Sequence, residues 1–169
     1  MSGGKTTRRP ATPQQLTLIE TAGREDAEAI LQIQRLAYQS EAVLYQDWNL
    51  PPLTESLQEL LAEFDRQLFL KATCGEPRHI VGAVRARLQD GTCFIGRLIV
   101  HPDFQRQGIG GMLMRQVEQR FPQARRFELF TGHRSDRNLS FYRHLGYVPF
   151  REQQLSDRVT LIFLEKIVA

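Results

Sequence analysis

Cysteine is scarce in this sequence, and the positions of the few cysteines argue against a fold stabilised by disulfides or by a metal. Of the 169 residues, two are cysteines, Cys74 and Cys93, and they form neither a C-x-x-C pair nor a spacing typical of a metal site. A disulfide scaffold and a zinc domain are both disfavoured. We expect two buried thiols in a reducing compartment, and no metal.

Long hydrophobic runs and a strong charge imbalance are also absent. No apolar run approaches the roughly 20 residues that cross a bilayer, and the N-terminus lacks the hydrophobic region of a secretory signal. The formal net charge of +3 comes partly from Lys5, Arg8 and Arg9, which is too little to favour nucleic-acid binding. We therefore expect a disordered tail at residues 1–14, then one cytoplasmic domain at residues 15–169, with neither a membrane nor a nucleic acid as partner.

A glycine-rich connection between a strand and a helix stands out against this background. An apolar strand ends at residues 98–100, a turn follows at residues 101–103, and Gly108, Gly110 and Gly111 allow bare backbone to approach a ligand. The first N–H groups of the following helix lack intrahelical acceptors and carry the positive end of its dipole. The order strand, turn, glycines, helix thus predicts a phosphate site.

Three phosphate-binding patterns compete for this loop. A nucleoside-triphosphate loop needs a Lys after its glycines, and none follows. A dinucleotide fingerprint needs three glycines directly after the strand, whereas Gly108 and Gly110 come later and Leu113 occupies the third glycine position. A nicotinamide-binding oxidoreductase is therefore disfavoured.

The third pattern, [QR]-x-x-G-x-[GA], fits residues 105–110, QRQGIG, and here the chain resembles the GNAT acetyltransferase family. In that family this loop wraps the pyrophosphate of acetyl-CoA. About thirty residues later, residues 138–147, NLSFYRHLGY, resemble the family's second signature. Two motifs in the right order are more specific than either alone.

The periodicity predicts elements in the order β-α-α-β-β-β-α-β-α-β-β, which is the order of the GNAT fold. We expect an α/β (α+β) fold: a mixed, mostly antiparallel twisted sheet of about seven strands, with helices on both faces and strands 4 and 5 parallel and splayed. The predicted helices span residues 24–39, 54–64 and 111–121, followed by a short one that ends at Gly146. Thr54 is the expected N-cap of the second helix, and Ser135 or Asp136 that of the last.

The resemblance also implies roles for individual residues. Asn138 is expected to bind the pantetheine arm or a phosphate, and Tyr142 to protonate the leaving thiolate as general acid. A backbone N–H of residues 98–100 is expected to stabilise the developing oxyanion. The residues expected to bind the donor are Leu98, Ile99, Val100, Gln105, Arg106, Gln107, Gly108, Ile109, Gly110, Gly111, Asn138 and Tyr142.

The general base is where this chain departs from the family. Many members carry a Glu in the middle of the fourth strand, and this chain has Gly96-Arg97 there. Arg97 cannot be a base but could hold an acidic group of the substrate. Glu41 and then His133 are the predicted alternatives for the base or for substrate binding. The acceptor is expected to contact Tyr38, Glu41, Tyr45, Trp48 and Arg97, and with His133 and Arg134 nearby we expect it to carry a carboxylate as well as an amine.

Together these features predict an acetyl-CoA-dependent N-acetyltransferase. Its acceptor is expected to be a primary amine of a small molecule or peptide that attacks the thioester directly, and a homodimer is a possible assembly. The alternative from another class is a catalytically silent acyl-CoA-binding sensor or adaptor, which the missing strand Glu favours.

Overall fold

The computed structural model describes residues 16–168 of the chain, so the predicted tail at residues 1–14 lies outside the described residues. The strands are β1 (Leu18–Thr21), β2 (Leu68–Cys74), β3 (His79–Gln89), β4 (Thr92–Val100), β5 (Arg126–Gly132), β6 (Val148–Gln154) and β7 (Thr160–Ile167). The helices are α1 (Ala27–Ala37), α2 (Gln39–Tyr45), α3 (Pro51–Thr54), α4 (Leu57–Glu63), α5 (Ile109–Arg120) and α6 (Asp136–His144).

The strands form one sheet in the order β1-β2-β3-β4-β5-β7-β6. Neighbouring strands are antiparallel except for β4 and β5, which run parallel because α5 connects them as a crossover. The predicted mixed, mostly antiparallel sheet with parallel strands 4 and 5 is confirmed.

Strands β4 and β5 separate soon after they pair. Their parallel pairing extends only from Thr92 opposite Arg126 to Phe94 opposite Glu128. β4 also contains a bulge, because three residue steps between positions 96 and 99 lie opposite two steps on β3. Arg97 lies in this bulge with a φ of +48°. Within the described chain, the edge of β4 that faces β5 has no strand partner from residue 95 onward, and a gap opens between the two strands.

Helices cover both faces of the sheet, as predicted. Side chains of α1 and α4 pack on one face in a cluster that includes Ile30, Leu31, Leu60, Phe69, Ala83 and Ile99. Side chains of α5 and α6 pack on the other face in a larger cluster that includes Leu70, Val81, Leu113, Met114, Val117, Phe127, Tyr142 and Leu164. Burial of each large apolar side chain contributes about 1.5–3 kcal/mol to folding, so these two layers hold the helices in place. Between residues 16 and 168, none of the helices is long and apolar enough to cross a membrane.

The N-terminal helical region is divided more finely than the sequence predicts. One helix is expected over residues 24–39, but α1 ends at Ala37, and α2 begins at Gln39. The segment at residues 40–52, which shows no helical period, contains most of α2 and the start of α3. Gln46 ends α2 in the left-handed conformation, with a φ of +51°. Tyr38 separates the two helices.

The predicted start of the second helix was wrong. Thr54 is expected to cap it, but Thr54 is the last residue of α3. Ser56 caps α4 instead: its Oγ accepts the N–H of Glu59 at 3.1 Å, and Glu59 Oε2 accepts the N–H of Ser56 at 2.7 Å. These reciprocal bonds form a capping box, which satisfies two backbone donors that the helix itself cannot.

The outer edge of the sheet, at β6, is polar. Residues 151–154 are exposed there. On the sheet face beside this edge, two aromatic rings lie under guanidinium groups: Arg126 is 4.8 Å from the ring centre of Phe150, and Arg151 is 3.8 Å from that of Phe163. In such cation–π contacts the ring face attracts the cation electrostatically, so the guanidinium groups cover these two rings.

Replacing Ser56 with Ala tests the position of the α4 cap. We expect the free energy of unfolding to fall by about 1 kcal/mol, because the Glu59 N–H loses its acceptor. Thr54→Ala, the matched control, should change it by less than about 0.5 kcal/mol, since Thr54 is exposed and caps no helix. Urea denaturation measures both values, and a larger loss for Thr54→Ala than for Ser56→Ala would contradict the assignment.

Candidate active site

A cavity of about 740 Å³ lies where β4 and β5 diverge. Its walls come from the β4 bulge, the glycine loop with the start of α5, the end of β5, and helices α1, α2 and α6. The predicted donor-binding residues that line it are Leu98, Ile99, Val100, Gln105, Arg106, Gly108, Ile109, Gly110, Gly111, Asn138 and Tyr142. Gln107 is exposed and lies outside the wall. The gap in the sheet thus brings the two sequence motifs to one site.

The glycine loop presents backbone N–H groups to this cavity. Gly108 is the N-cap of α5 and offers no side-chain oxygen, so no described side chain caps the first N–H groups of the helix. Gln105 ties the loop to β4, because its Nε2 donates to the Val100 carbonyl at 3.1 Å. Arg106 and Arg137 line the same cavity and add positive charge. Free N–H groups, a helix dipole and two guanidinium groups fit a diphosphate.

Two glycines of the loop are needed for different reasons. Gly108 has a φ of +82°, which L side chains rarely adopt, although a Cβ there would meet no atom within 4 Å. A Cβ at Gly110 would lie 3.3 Å from Cζ of Phe141 on α6, so this glycine allows α5 and α6 to pack closely. Gly108 therefore sets the shape of the loop, and Gly110 the distance between the two helices.

Tyr142 lies in the wall of the cavity on α6. Gly146, with a φ of +95°, terminates this helix as predicted. The Tyr142 side chain is 9% exposed, and no described residue shares a hydrogen bond with its hydroxyl. Burial raises the pKa of Tyr142 well above its usual range, and the nearby Tyr38 and Glu41 side chains raise it further. The hydroxyl is therefore neutral at ordinary pH and free to donate.

A chain of hydrogen bonds orients Glu41, which lies on α2. The Arg134 N–H donates to Tyr45 Oη at 2.9 Å, Tyr45 Oη lies 2.8 Å from Ser135 Oγ, and Ser135 Oγ donates to Glu41 Oε2 at 2.6 Å. Since the Ser135 proton points to Glu41, the Tyr45 hydroxyl donates to Ser135. Asn138 Nδ2 approaches the other carboxylate oxygen of Glu41 at 3.4 Å. Both oxygens of Glu41 are thus fixed in the cavity wall.

A second polar cluster lies behind the β4 bulge. The Glu55 carboxylate accepts from Arg85 Nη1 at 3.1 Å and from Gln34 Nε2 at 2.8 Å, and Arg97 Nε lies 3.7 Å from its Oε2. Burial lowers the pKa of Arg97, and the adjacent Tyr38 opposes this shift. Arg97 and Tyr38 line the cavity, whereas Gln34, Glu55 and Arg85 support it from behind.

Three residues expected near the acceptor have other positions. Trp48 is 53% exposed and is not part of the cavity wall. His133 is exposed, and its Nδ1 accepts the Thr160 N–H at 3.0 Å, outside the wall. Arg134 contributes its backbone N–H to Tyr45, and its guanidinium does not line the cavity. Of the three groups expected to hold a carboxylate, Arg97 alone faces the cavity.

Other polar residues of the site were missed by sequence reasoning. Ser135 is the N-cap residue of α6, but its hydroxyl makes no capping bond and donates to Glu41 instead. Its place after the carboxyl end of β5 was the one local signal for a role in the site. Glu55, Arg85 and Gln34 meet across separations of 21 and 30 residues, and no spacing in the sequence indicates that.

The glycine loop and the buried Tyr142 hydroxyl thus line one cavity between two diverging strands, which is the arrangement expected from the resemblance to the GNAT family. The profile of the acetyltransferase (GNAT) family matches residues 27–147. The chain therefore belongs to the GNAT family, whose cofactor is acetyl-CoA.

Comparison with known proteins agrees with this assignment. An uncharacterized N-acetyltransferase, ycf52, from Gracilaria tenuistipitata var. liui is 37% identical over 68 residues, which is 37% of this chain and 36% of that protein. The matched part thus spans about a third of the length of that relative. The PaiA N-acetyltransferase from Thermoplasma acidophilum, in complex with coenzyme A, has a TM-score of 0.70 at 17% identity and covers 90% of this chain and 99% of its own. The ribosomal-protein-S18-alanine N-acetyltransferase from Escherichia coli has a TM-score of 0.75 at 15% identity, covering 91% and 95%. At these identities the two structures confirm the fold.

Replacing Gly108 with Ala tests the loop assignment. The left-handed conformation costs a non-glycine residue about 1–2 kcal/mol, so we expect the loop of the free variant to relax out of it. Binding must then restore the conformation, and acetyl-CoA should bind about 5- to 30-fold more weakly. Gly108→Asn should lose less, because Asn tolerates this conformation better than Ala does. Isothermal titration calorimetry measures both affinities, and an Ala variant that binds as tightly as the unmodified protein would contradict the assignment.

Proposed function

We propose that this protein transfers the acetyl group of acetyl-CoA to a primary amine of a small molecule or peptide by direct attack of the amine. The observation that carries the proposal is the single cavity that joins the anion-binding loop to the Tyr142 hydroxyl and the Glu41 carboxylate. In this proposal the loop residues and Arg106 hold the diphosphate, and the unpaired edge of β4 holds the amide arm of the donor. Bound there, acetyl-CoA supplies an activated acetyl thioester.

Tyr142 acts as the acid in this proposal. An ordinary tyrosine with a pKa near 10 gives its proton to a thiolate of pKa near 8.5 at a cost of about 2 kcal/mol, and the raised pKa of Tyr142 increases that cost. Its hydroxyl therefore serves as a hydrogen-bond donor to the sulfur while negative charge develops there. Burial favours this role, because it keeps the hydroxyl protonated and excludes competing water.

Glu41 acts on the amine. An amine with a pKa of about 10.4 is unprotonated in about one molecule in 2,500 at pH 7, which adds about 4.6 kcal/mol to the barrier. A fixed carboxylate attracts the ammonium and accepts its proton, directly or through one water. Glu41 suits this role better than His133, because its oxygens are oriented in the cavity wall whereas His133 Nδ1 accepts a backbone N–H outside it.

The two cysteines support direct attack over an acetyl-enzyme. Cys74 and Cys93 are 2% and 0% exposed, and neither lines the cavity. Burial raises the pKa of Cys93 to about 12, and Glu118 adds to the effect. A thiol of that pKa is almost entirely protonated at neutral pH and is a poor nucleophile.

The cytoplasmic location and the homodimer, which do not concern the reaction itself, stay predictions.

One observation favours the alternative of a silent acyl-CoA sensor. β4 contributes Gly96 and Arg97 to the cavity wall and no carboxylate. A sensor predicts tight binding of acetyl-CoA without release of free coenzyme A in the presence of any amine. Thiol detection across a panel of amines separates the two functions.

Replacing Tyr142 with Phe tests the acid. We expect kcat to fall about 10- to 100-fold, with the Kd for acetyl-CoA unchanged, because only the donor to sulfur is lost. Since the raised pKa keeps this hydroxyl protonated, Tyr142 should cause no loss of activity in the unmodified enzyme up to about pH 10. Tyr147→Phe is the matched control: it removes a buried hydroxyl that donates to Glu118 away from the cavity. Equal kcat values for Tyr142→Phe and the unmodified enzyme would remove the proposed role.

Replacing Glu41 with Gln tests the base. At pH 7 we expect kcat/KM to fall about 100-fold or more, since the variant depends on amine already deprotonated in solution. The deficit should shrink as the pH approaches about 10, where the amine itself loses its proton. Glu28→Gln on the exposed side of α1 loses the same charge and serves as control. A deficit that is constant from pH 7 to pH 10 would argue against proton removal by Glu41.

A further inference from the structure

The cluster behind the β4 bulge contains more positive than negative charge. Two guanidinium groups, Arg85 and Arg97, share the single carboxylate of Glu55. The side chains of these three residues are 10%, 19% and 9% exposed. Gln34 and Tyr38, the other polar neighbours, are neutral at ordinary pH. The cluster therefore carries a net charge of about +1 in a place largely shielded from water, where an unmatched charge is costly.

Arg97 is the member of the cluster that presents this charge to a ligand. It lies in the cavity wall, whereas Arg85 and Glu55 lie behind it. Its Nε is buried and has no hydrogen-bond acceptor in the described part of the chain, since the Glu55 oxygen at 3.7 Å is too far for one. Arg85 takes the closer contact with Glu55, at 3.1 Å. Arg97 is thus the less closely paired of the two guanidinium groups, and it is the one that lines the cavity.

The opposite charge lies in the same wall. Glu41 and Arg97 both act electrostatically on the Tyr38 hydroxyl, and Glu41 also acts on the Tyr142 hydroxyl. Hence a cation and an anion both lie in the cavity wall around Tyr38, and the anion also lies near the hydroxyl that the reaction uses. An acetyl thioester is uncharged and matches neither of them. A molecule with an ammonium and a carboxylate matches both, and one carboxylate offsets a net charge of +1 whereas a dianionic phosphate exceeds it.

We infer that the acceptor is a free amino acid, whose carboxylate binds Arg97 while its amine lies near Glu41. This inference rests on the proposed acetyl transfer and narrows its substrate class. Plain polyamines and peptide N-termini lack a free carboxylate beside the amine and are poor acceptors. Arg97 is thereby a specificity-determining residue of the site.

Matched pairs of acceptors test this inference. A panel of free L-amino acids is compared with the corresponding α-carboxamides, which differ by one negative charge and little in size. For the pairs that are acetylated, we expect kcat/KM to favour the acid by about 10- to 100-fold, the range of a hydrogen-bonded charge pair. The amide lowers the basicity of its neighbouring amine and so increases the reactive fraction, which works against this preference. A preference for the acid therefore reports recognition of the carboxylate.

Variants of Arg97 complete the experiment. Arg97→Gln should reduce the preference for the acid to about one, and Arg97→Lys should retain part of it through its charge. The Arg85–Glu55 pair is neutral after Arg97→Gln, so the variant is expected to fold, which a thermal melt checks. Arg87→Gln removes an exposed guanidinium from the same region of the sheet, outside the cavity, and should keep the full preference.

The possible outcomes separate the two proposals. Equal rates for acid and amide, a preference for the amide, acetylation of polyamines alone, or an unchanged preference in Arg97→Gln each overturn the amino-acid assignment and leave acetyl transfer intact. Absence of coenzyme A release with every amine tested overturns the proposed transfer and this assignment with it.

Discussion

The divergence of β4 from β5 is the constraint on which the rest of the structure depends. Pairing between these strands stops after three positions, and one extra residue in β4 bends it away from its neighbour. The glycine loop follows β4 and α6 follows β5, so each half of the site is attached to one of the two separating strands. The backbone path of β4 and β5 therefore creates the cavity, and the side chains that line it supply its chemical groups.

Contacts of Glu55 stabilise the strained part of β4, at Arg97. Arg97 has a positive φ, which costs a non-glycine residue about 1–2 kcal/mol, and such a conformation persists only where its surroundings impose it. The side chain of Glu55 binds Gln34 on α1 and Arg85 on β3, and its backbone carbonyl accepts from Arg35. One residue at the end of α3 thus links α1 and two strands. Arg97, which we propose as the residue that selects the acceptor, lies 3.7 Å from the carboxylate that makes these contacts.

The sequence predicts those parts of the site that are formed by residues close together in the chain. The loop around Gly108 follows from local spacing, the expectation for Tyr142 follows from the resemblance of residues 138–147 to the family's second signature, and the structure places both in one cavity. The cap of α4 was predicted wrongly at Thr54, although the sequence contains the signature of the real one: Glu59 follows Ser56 by three residues, as a capping box requires. By contrast, Glu41 meets Ser135 and Asn138 across 94 and 97 residues, a contact that only the folded chain creates. The same holds for Trp48: its residue type favours a binding pocket, but tertiary packing leaves it exposed.

The two edges of the sheet bear on how the molecule behaves beside copies of itself. β1 has four residues, too few to template a long added strand, and β6 carries charged and amide side chains together with Pro149, which has no N–H to donate. The guanidinium groups over Phe150 and Phe163 shield the adjoining aromatic surface from self-adhesion. Both edge strands of this seven-stranded sheet thus disfavour the addition of a strand from another molecule, and with it the aggregation that such addition starts.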